Sequence, residues 1–338
     1  MKKVLYIATT ADNRNRLDGE TIKCRLLKEY LSEIEDIELI SVDTDNWQKH
    51  ILKLVFKIIF NNLKCDEIIV SSADRGAHIV LDFFRKINCN KTIYYFVIGG
   101  TLYKNIKEKK WNISTYNRIQ KIYVEADLMK NKLNEININN VKVLNNFRKV
   151  GKFQNKYRKS DVIRFVYFGR VIKEKGIEES IKLINRLNKE NIKCTFDIYG
   201  QCNNEYLKKI SSSFGKYIKY HGEIKPNSII EYEILSQYDI FLFPTYYPGE
   251  GLPGSLIDAY ISGLAIIASD WKYAREYIKD GENGIIFKYK DYEDLYMKTK
   301  KLLNSNKIQQ FKHKSKEMSN QYNMENLLKE LKKRLKQG

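Results

Sequence analysis

The sequence lacks the features that would place a protein inside a membrane or cross-link it. None of its apolar runs reaches the roughly 18 to 20 residues that a membrane-spanning helix needs. Its five cysteines are odd in number and include no Cys-x-x-Cys pair, which argues against a disulfide framework and against a zinc site. The first apolar run is too short for a signal peptide and is not followed by a small-residue cleavage site. Together these absences predict a cytoplasmic protein.

Acidic residues are also scarce. The 338 residues include 60 Lys and Arg against 41 Asp and Glu, so the formal net charge is +19. Such a charge predicts a nucleic acid, an anionic membrane leaflet or an anionic small substrate as the partner, although a genome that favours lysine codons would also produce it. No RRM, helix-turn-helix or zinc-finger signature occurs, so we expect no nucleic-acid partner.

Short apolar runs alternate with longer amphipathic ones along the chain, which is the pattern of βα units. Several of the short runs are almost continuously apolar, as strands are when a parallel sheet is covered on both faces. A polar, basic stretch at 147–161 separates two such series and is interpreted as a linker. The sequence therefore predicts an α/β protein with domains at 1–150 and 151–319, the first joined by a last helix at 320–338.

The stretch Pro248–Asp270 places a glutamate and three glycines where a helix is predicted to begin. Glu250 follows a predicted strand at the carboxyl edge of a parallel sheet, where α/β proteins bind ligands. The free N–H groups of the following helix favour an anion. Asp258 lies about two turns along that helix, so the two acids could hold the hydroxyls at either end of a sugar–diphosphate–nucleoside. An exposed acid at a helix entry and an ordinary helix-face aspartate are the alternative.

A second candidate stretch is Val166–Ile181. A predicted strand ends in Gly169-Arg170, and Lys175-Gly176 opens the next helix. Arg170 and Lys175 would both lie at the carboxyl edge of a sheet, where a guanidinium and an ammonium can neutralise phosphate. Two solvated cations in a lysine-rich chain are the alternative.

Together these stretches resemble the donor-binding half of retaining glycosyltransferases of family 4, which have the GT-B fold. That family shows a strand ending in Gly-Arg, a Lys-Gly a few residues on, and a Glu-x7-Glu element, and all three have counterparts in the stretches above. The resemblance covers 163–287 and is weaker over the N-terminal half, where Arg16–Leu31 is similar to the glycine loop and first helix near the acceptor. It implies two Rossmann-like parallel-sheet domains that face a cleft. The closest members assemble capsule, exopolysaccharide or cell-wall glycans.

The resemblance also implies a role for each matched residue. Arg170 and Lys175 would bind the donor diphosphate and stabilise it as it leaves, Glu250 would contact the transferred sugar, and Asp258 would hold the ribose hydroxyls. Further positions are expected to lie beside the substrates: Gly169, Gly251, Leu252 and Pro253 at the donor, and Gly19, Gly99 and Gly100 at the acceptor. The implied front-face mechanism needs no protein nucleophile and no metal. A UDP-sugar is expected ahead of a GDP-sugar.

Three departures from the family pattern affect these expectations. The second acid is Asp258 instead of Glu, which shortens its reach by one methylene. Lys272-Tyr273 stands where a Gly-Gly often precedes a later Glu, and 98–100 reads Ile-Gly-Gly where most members have a His after the strand. A catalytic role for that His therefore cannot be carried over. His78 is not at that position and is interpreted as a helix-face histidine.

Two further segments suggest other partners. Asp43–Asp45 reads Asp-Thr-Asp, which matches the metal-binding element of the other glycosyltransferase fold, but no phosphate loop stands beside it and we expect no metal. Trp47–Lys64 combines three lysines at four-residue intervals with many apolar residues, which suits either the surface of an anionic bilayer or a core helix of the first domain. A basic run at Tyr103–Asn112 could add to a membrane-facing patch.

We therefore expect a retaining, metal-independent glycosyltransferase that moves a sugar from a nucleotide-diphosphate donor to a lipid-linked or polymeric glycan. It would be peripheral on the inner face of the cell membrane and would serve surface polysaccharide or cell-wall glycan synthesis. Two alternatives remain open on the same fold. One is a nucleotide-sugar epimerase, and the other is a non-catalytic subunit that binds nucleotide or lipid and supports a partner enzyme.

Overall fold

The computed structural model describes residues 1–14, 16–157 and 159–337 of the chain. Residues 1–147 and the chain from Glu325 onward form a first unit, and residues 148–324 form a second. The sequence predicts the two boundaries between these units after residues 150 and 319.

The first unit is a six-stranded parallel sheet with helices between its strands. The strand order is β2-β1-β3-β4-β5-β6. Its elements are β1 Lys2–Ala8, α1 Gly19–Ser32, β2 Ile37–Asp43, α2 Ile51–Asn62, β3 Glu67–Ala73, α3 Asp74–Lys86, β4 Thr92–Ile98, α4 Leu102–Glu108, α5 Ile113–Asn117, β5 Lys121–Val124, α6 Asp127–Asn134 and β6 Val141–Val143, with a 3₁₀ turn at Trp47–Lys49.

The second unit repeats this plan with the strand order β12-β11-β10-β7-β8-β9. Its elements are β7 Ile163–Phe168, α7 Ile177–Lys189, β8 Cys194–Tyr199, α8 Asn204–Ser211, β9 Ile218–Tyr220, α9 Ile229–Leu235, β10 Ile240–Phe243, α10 Gly254–Ile261, β11 Ala265–Ser269, α11 Ala274–Tyr277, β12 Gly284–Phe287, α12 Tyr292–Leu303 and α13 Ile308–Met318, with 3₁₀ turns at Lys173–Lys175 and Ser319–Tyr322. The last helix, α14, spans Met324–Gln337.

The central strands are apolar along their whole length because helices cover both faces of each sheet. In β1, every side chain from Val4 to Ala8 is completely buried, and β10 is buried throughout as well. Every strand pair is parallel, with Leu5 opposite Ile40 on one side and Ile68 on the other. The prediction of two parallel-sheet α/β domains is therefore confirmed.

The structure bears on the choice between a membrane-surface helix and a core helix for the segment around α2. A core helix would bury most of its apolar side chains, but in α2 only Ile58 is buried. Leu52 is 84% exposed and Phe56 is 77% exposed. The core-helix interpretation is therefore wrong for most of this segment.

The stretch at 147–161, interpreted as a linker, begins inside the protein. Phe147 is completely buried and Arg148 is 2% exposed. The Arg148 backbone pairs with the segment that leads into α14. Its N–H donates to the Tyr322 carbonyl, and its own carbonyl accepts from the Met324 N–H. The described residues from 149 to 161 form no helix or strand.

Candidate functional site

The two predicted motifs meet at one edge of the second sheet. β7 ends at Phe168 and is followed by Gly169 and Arg170, while β10 ends at Phe243 and is followed by the loop that carries Glu250. These strands are adjacent and parallel, so both loops leave the sheet at its carboxyl edge. The topology alone therefore brings the motifs together, as expected for a ligand site in an α/β protein.

Lys175 and Glu250 form a buried ion pair at this edge. The Lys175 ammonium donates to Glu250 Oε2, and Thr245 Oγ1 donates to the same oxygen at 2.9 Å. The two side chains are 11% and 9% exposed. Lys175 Nζ also lies 5.1 Å from the ring centroid of Phe243 and 5.3 Å from that of Tyr247. A cation and a carboxylate thus neutralise each other where the sequence predicted a diphosphate and a sugar.

Gly176 allows the turn between Lys175 and α7. Its φ angle is +74°, and a Cβ atom at this position would lie 2.3 Å from the carbonyl oxygen of Pro244. A side chain would be strained by the angle and blocked by the contact. The Lys175 turn therefore packs directly against the backbone that follows β10.

Arg170 remains at the surface beside this pair. Its side chain is exposed, and its guanidinium carbon lies 5.4 Å from the ring centroid of Tyr247. The Tyr167 hydroxyl donates to the Arg170 carbonyl at 2.8 Å and holds the backbone of the turn. Tyr247 is therefore flanked by the two cations that the sequence assigned to the diphosphate.

The loop after Glu250 leads directly into α10. Gly251, Leu252 and Pro253 are buried, and Trp271 Nε1 donates to the Gly251 carbonyl at 3.4 Å. Pro253 occupies the cap position of the helix and supplies no side-chain cap. The first helical residue, Gly254, is partly exposed. The positive end of the helix dipole is thus left without an acidic cap, which suits an anion.

Asp258 has a different environment from the one predicted for it. Arg148 Nε donates to Oδ1 at 2.7 Å and Arg148 Nη2 donates to Oδ2 at 3.0 Å. The two side chains are only 3% and 1% exposed, and the Tyr232 hydroxyl donates to Oδ1 at 3.4 Å. Both carboxylate oxygens are therefore occupied within the protein, and a contact with ribose hydroxyls stays a prediction.

Burial dominates the electrostatics around Asp258. It raises the pKa of Asp258 above its ordinary value, and the charge and hydrogen bonds of Arg148 act against that rise. Glu231, which is completely buried, has its pKa raised well above the usual range by burial first and by the charge of Asp258 second. Arg148 thus supplies the positive charge that offsets the burial of Asp258 and Glu231. The polar, basic sequence around Arg148 did not indicate this role.

Arg148 also lies against the start of α10. A Cβ atom at Gly254 would lie 1.8 Å from Arg148 Nη2. Only a glycine leaves room for the guanidinium at the first residue of this helix. Arg148 therefore links the predicted anion-binding end of α10 to the buried acid on its second turn.

The predicted acceptor residues lie in loops at the carboxyl edge of the first sheet. Gly19 opens α1, whose cap is Asp18, while Gly99 and Gly100 follow β4. Gly99 has a φ of +80°. The assignment of an acceptor to these glycines stays a prediction.

Two acids that the sequence reasoning missed hold these acceptor loops. Glu20 Oε1 accepts from the Ala73 N–H at 2.8 Å, which joins the start of α1 to the end of β3. Asp74 Oδ2 accepts from Thr101 Oγ1 at 2.6 Å and from Asn105 Nδ2 at 2.8 Å. Burial raises the pKa of both carboxyls. The place of Glu20 directly after Gly19 could have identified it, whereas Asp74 adjoins none of the acceptor glycines and is marked in the sequence only by the end of a predicted strand.

His78 lies on α3 and packs against aromatic rings. Its ring stacks on Trp111 at a centroid distance of 4.1 Å, and Nδ1 lies 3.1 Å from the Tyr116 hydroxyl. Burial lowers the pKa of His78, which favours the neutral ring. These contacts account for His78 as a packing residue of the first unit.

Comparison with known families decides the class of the protein. The family model described as "Glycosyl transferases group 1" matches residues 150–322, which is just over half of the chain and contains every predicted donor-side residue. The chain belongs to this family. The matched region lies in the second unit.

Curated relatives of this chain match over part of their length. An uncharacterised glycosyltransferase of Methanocaldococcus jannaschii is 33% identical over 161 residues, which are 46% of this chain and 38% of the relative. The capsular polysaccharide biosynthesis glycosyltransferase CapH of Staphylococcus aureus is 36% identical over 137 residues, which are 37% of this chain and 36% of CapH. The matched regions thus span somewhat more than a third of each of these relatives.

Solved structures of the GT-B class resemble this chain over nearly its whole length. Sucrose-phosphate synthase from Thermosynechococcus elongatus aligns with a TM-score of 0.78 at 13% identity, covering 100% of this chain and 99% of that one. Anabaena HepE in complex with UDP and glucose aligns with a TM-score of 0.75 at 12% identity, covering 99% and 100%. At such low identity these likenesses establish the fold only, and the expected GT-B fold is confirmed.

The Asp-Thr-Asp segment of this chain is engaged in internal contacts. Asp43 Oδ1 accepts from the backbone N–H groups of Thr10 and Asp45. Asp45 pairs with Arg14 and with Arg16, the latter at 2.9 Å. Among residues 1–14, 16–157 and 159–337, no group of three His, Cys, Asp or Glu side chains could hold a metal ion. Independence from metal stays a prediction.

Proposed function

We propose that this chain is a retaining glycosyltransferase that transfers a sugar from a nucleotide diphosphate, a UDP-sugar ahead of a GDP-sugar, without a metal ion. The acceptor is a lipid-linked or polymeric glycan in surface polysaccharide or cell-wall glycan synthesis. The observation that carries the proposal is the buried pair of Lys175 and Glu250, with Arg170 beside it, at the uncapped start of α10.

Donor binding would exchange one ionic partner for another. Lys175 is now neutralised by Glu250, and a diphosphate placed at the start of α10 would offer the ammonium a second anion. Glu250 would then accept hydrogen bonds from the hydroxyls of the sugar. Arg170 would reach the same diphosphate from the exposed side of Tyr247. The site thus separates a cationic part for phosphate from an anionic part for sugar hydroxyls.

The reaction would break the bond between the anomeric carbon and the diphosphate oxygen. A bond from the acceptor oxygen to the same carbon would form on the same face, and the acceptor proton would pass to the departing phosphate oxygen. Lys175, Arg170 and the helix dipole of α10 would stabilise the charge that develops on the diphosphate. The enzyme's contribution would be positioning and charge stabilisation, with no covalent intermediate.

The acceptor and location are supported by relatives and by charge. CapH of S. aureus is named for capsular polysaccharide biosynthesis, and HepE was solved with UDP and glucose. The net charge of +19 suits an anionic donor and an anionic membrane surface. Within the described part of the chain, no helix is both long and apolar enough to cross a membrane. We propose peripheral attachment to the inner face of the cell membrane.

Nucleotide binding tests the donor site without knowledge of the acceptor. We expect one of UDP, GDP, ADP, CMP and dTDP, with EDTA present, to raise the melting temperature of the chain by a few degrees. A ligand at about 100 times its Kd stabilises a fold by about 2.7 kcal/mol. Arg170→Ala should abolish the shift and leave the melting temperature of the free protein unchanged, because Arg170 is exposed.

Arg118→Ala is the matched control, since Arg118 is an exposed arginine of the first unit. It should retain the nucleotide-dependent shift. A shift that appears only with added magnesium would contradict metal independence. Equal shifts in the native chain and in Arg170→Ala would remove Arg170 from the donor site. If Glu250→Gln leaves the cellular function intact, the non-catalytic subunit is the better account.

A further inference from the structure

Helix α2 of the first unit presents its apolar side to solvent. The most exposed side chains are Leu52 at 84%, Phe56 at 77% and Leu63, just after the helix, at 76%. Ile59 and Phe60 are 41% and 52% exposed. Isolated exposed leucines are ordinary, but a contiguous apolar surface of this kind marks a binding face.

The exposed side chains form one stripe. Successive residues of an α-helix are rotated by about 100°, so Leu52, Phe56, Ile59 and Leu63 recur along a single side. Ile58, the one buried residue of the helix, lies on the opposite side and anchors α2 to the unit. Packing of α2 against its own unit therefore buries little of its apolar surface, and most of that surface is exposed to solvent.

Lysines flank this stripe along one side. By the same rotation, Lys53, Lys57 and Lys64 lie next to one another beside Phe60, and all three are exposed. Lys64 Nζ lies 3.8 Å from the ring centroid of Phe60. No Asp or Glu occurs between Asn46 and Cys65. The surface of this segment thus combines an apolar stripe with lysines and carries no acidic side chain of its own.

We propose that the outward face of α2 inserts into the interface of an anionic membrane leaflet, with the helix axis parallel to the surface. Apolar side chains would enter the acyl boundary while the lysines bind lipid phosphates, which is how basic amphipathic helices bind bilayers. A second copy of the chain is a poor occupant, because the same lysines would face each other across a symmetric contact. The inference rests on the peripheral membrane attachment proposed above and names the surface that makes this attachment.

Vesicle flotation without any sugar substrate tests this inference separately from the proposed activity. We expect the full chain to float with vesicles of phosphatidylcholine containing phosphatidylglycerol at low salt, and to remain below pure phosphatidylcholine vesicles. The double variant Phe56→Asp, Leu63→Asp and the triple variant Lys53→Glu, Lys57→Glu, Lys64→Glu should each lower the bound fraction by at least about tenfold. All five side chains are exposed, so the fold should be retained.

Matched controls come from the second unit. Ile229→Asp with Ile230→Asp removes two exposed apolar residues, and Lys208→Glu, Lys216→Glu, Lys219→Glu reverses three exposed lysines. Both should float like the native chain.

Three outcomes would overturn the inference. They are failure of the native chain to float, equal loss in the control variants, and flotation that the α2 variants do not reduce. A concentration-dependent dimer in sedimentation velocity that the α2 variants abolish would instead assign the face to a second copy. Nucleotide binding measured on the same variants separates a failure at the membrane from a failure of the donor site.

Discussion

At the scale of single residues, the buried pair of Arg148 and Asp258 is expected to have a large effect on stability. Arg148 makes two hydrogen bonds to Asp258, and both side chains are almost completely buried. Removal of Arg148 alone leaves the buried Asp258 without its partner, whereas removal of both side chains also removes that acid and leaves Glu231 behind. The free energy of unfolding should therefore respond very differently to single and double substitutions.

We expect Arg148→Leu to lower the free energy of unfolding by about 3 to 5 kcal/mol, because Asp258 and Glu231 lose their cation. The double variant Arg148→Leu, Asp258→Leu should recover a large part of that loss. Urea denaturation of the four proteins of this cycle gives the coupling. Arg186→Leu, which breaks an exposed pair with Glu293, should leave the urea midpoint nearly unchanged. Additive losses in the double variant would contradict the account.

At the scale of elements, the turn between β7 and α7 fixes Lys175. Gly176 has a left-handed backbone and touches the Pro244 carbonyl, whereas Gly222 has a similar φ of +77° with open space around its Cβ position. A side chain would therefore meet the same backbone strain at both glycines, but only at Gly176 would it also collide with Pro244.

Gly176→Ala should be less stable than Gly222→Ala by roughly 1 to 3 kcal/mol, which is the usual cost of overpacking. It should also weaken nucleotide binding, because the Lys175 turn must move away from the β10 loop. Urea denaturation and the nucleotide-dependent thermal shift measure the two effects. Equal stability of the two variants would show that the turn yields to the added methyl group.

The elements themselves were largely predictable from the sequence. Residues 4–8 of β1 and the whole of β10 are continuous apolar runs, and a parallel sheet covered on both faces buries such runs completely. The orientation of α2 was not predictable. A helix with apolar residues on most of its circumference carries no pattern that tells which side faces the core.

The grouping of the site was predictable, but its internal contacts were not. Two motifs that follow predicted parallel strands must lie at the same sheet edge if the strands are neighbours. The pairing of Lys175 with Glu250 joins residues far apart in the chain, and no local pattern signals it. Arg148 stands in a polar, basic stretch whose composition indicates a linker, and only its distant partner Asp258 explains its burial.

At the scale of the whole molecule, we propose nucleotide chemistry for the second unit and membrane attachment for the first. The family match covers residues 150–322 and leaves α2 outside it. The two assignments therefore rest on separate parts of the chain, and each can fail without the other. At the Lys175–Glu250 site, we propose that the sugar is transferred with retention of its anomeric configuration.

The anomeric configuration of the first product tests that claim most directly. Proton NMR would follow an α-linked UDP-sugar with the enzyme, EDTA and water as acceptor, so that no knowledge of the glycan is needed. We predict that the α-anomer of the free sugar appears first and that Glu250→Gln abolishes its formation. First appearance of the β-anomer, or equal turnover by Glu250→Gln, would contradict the account.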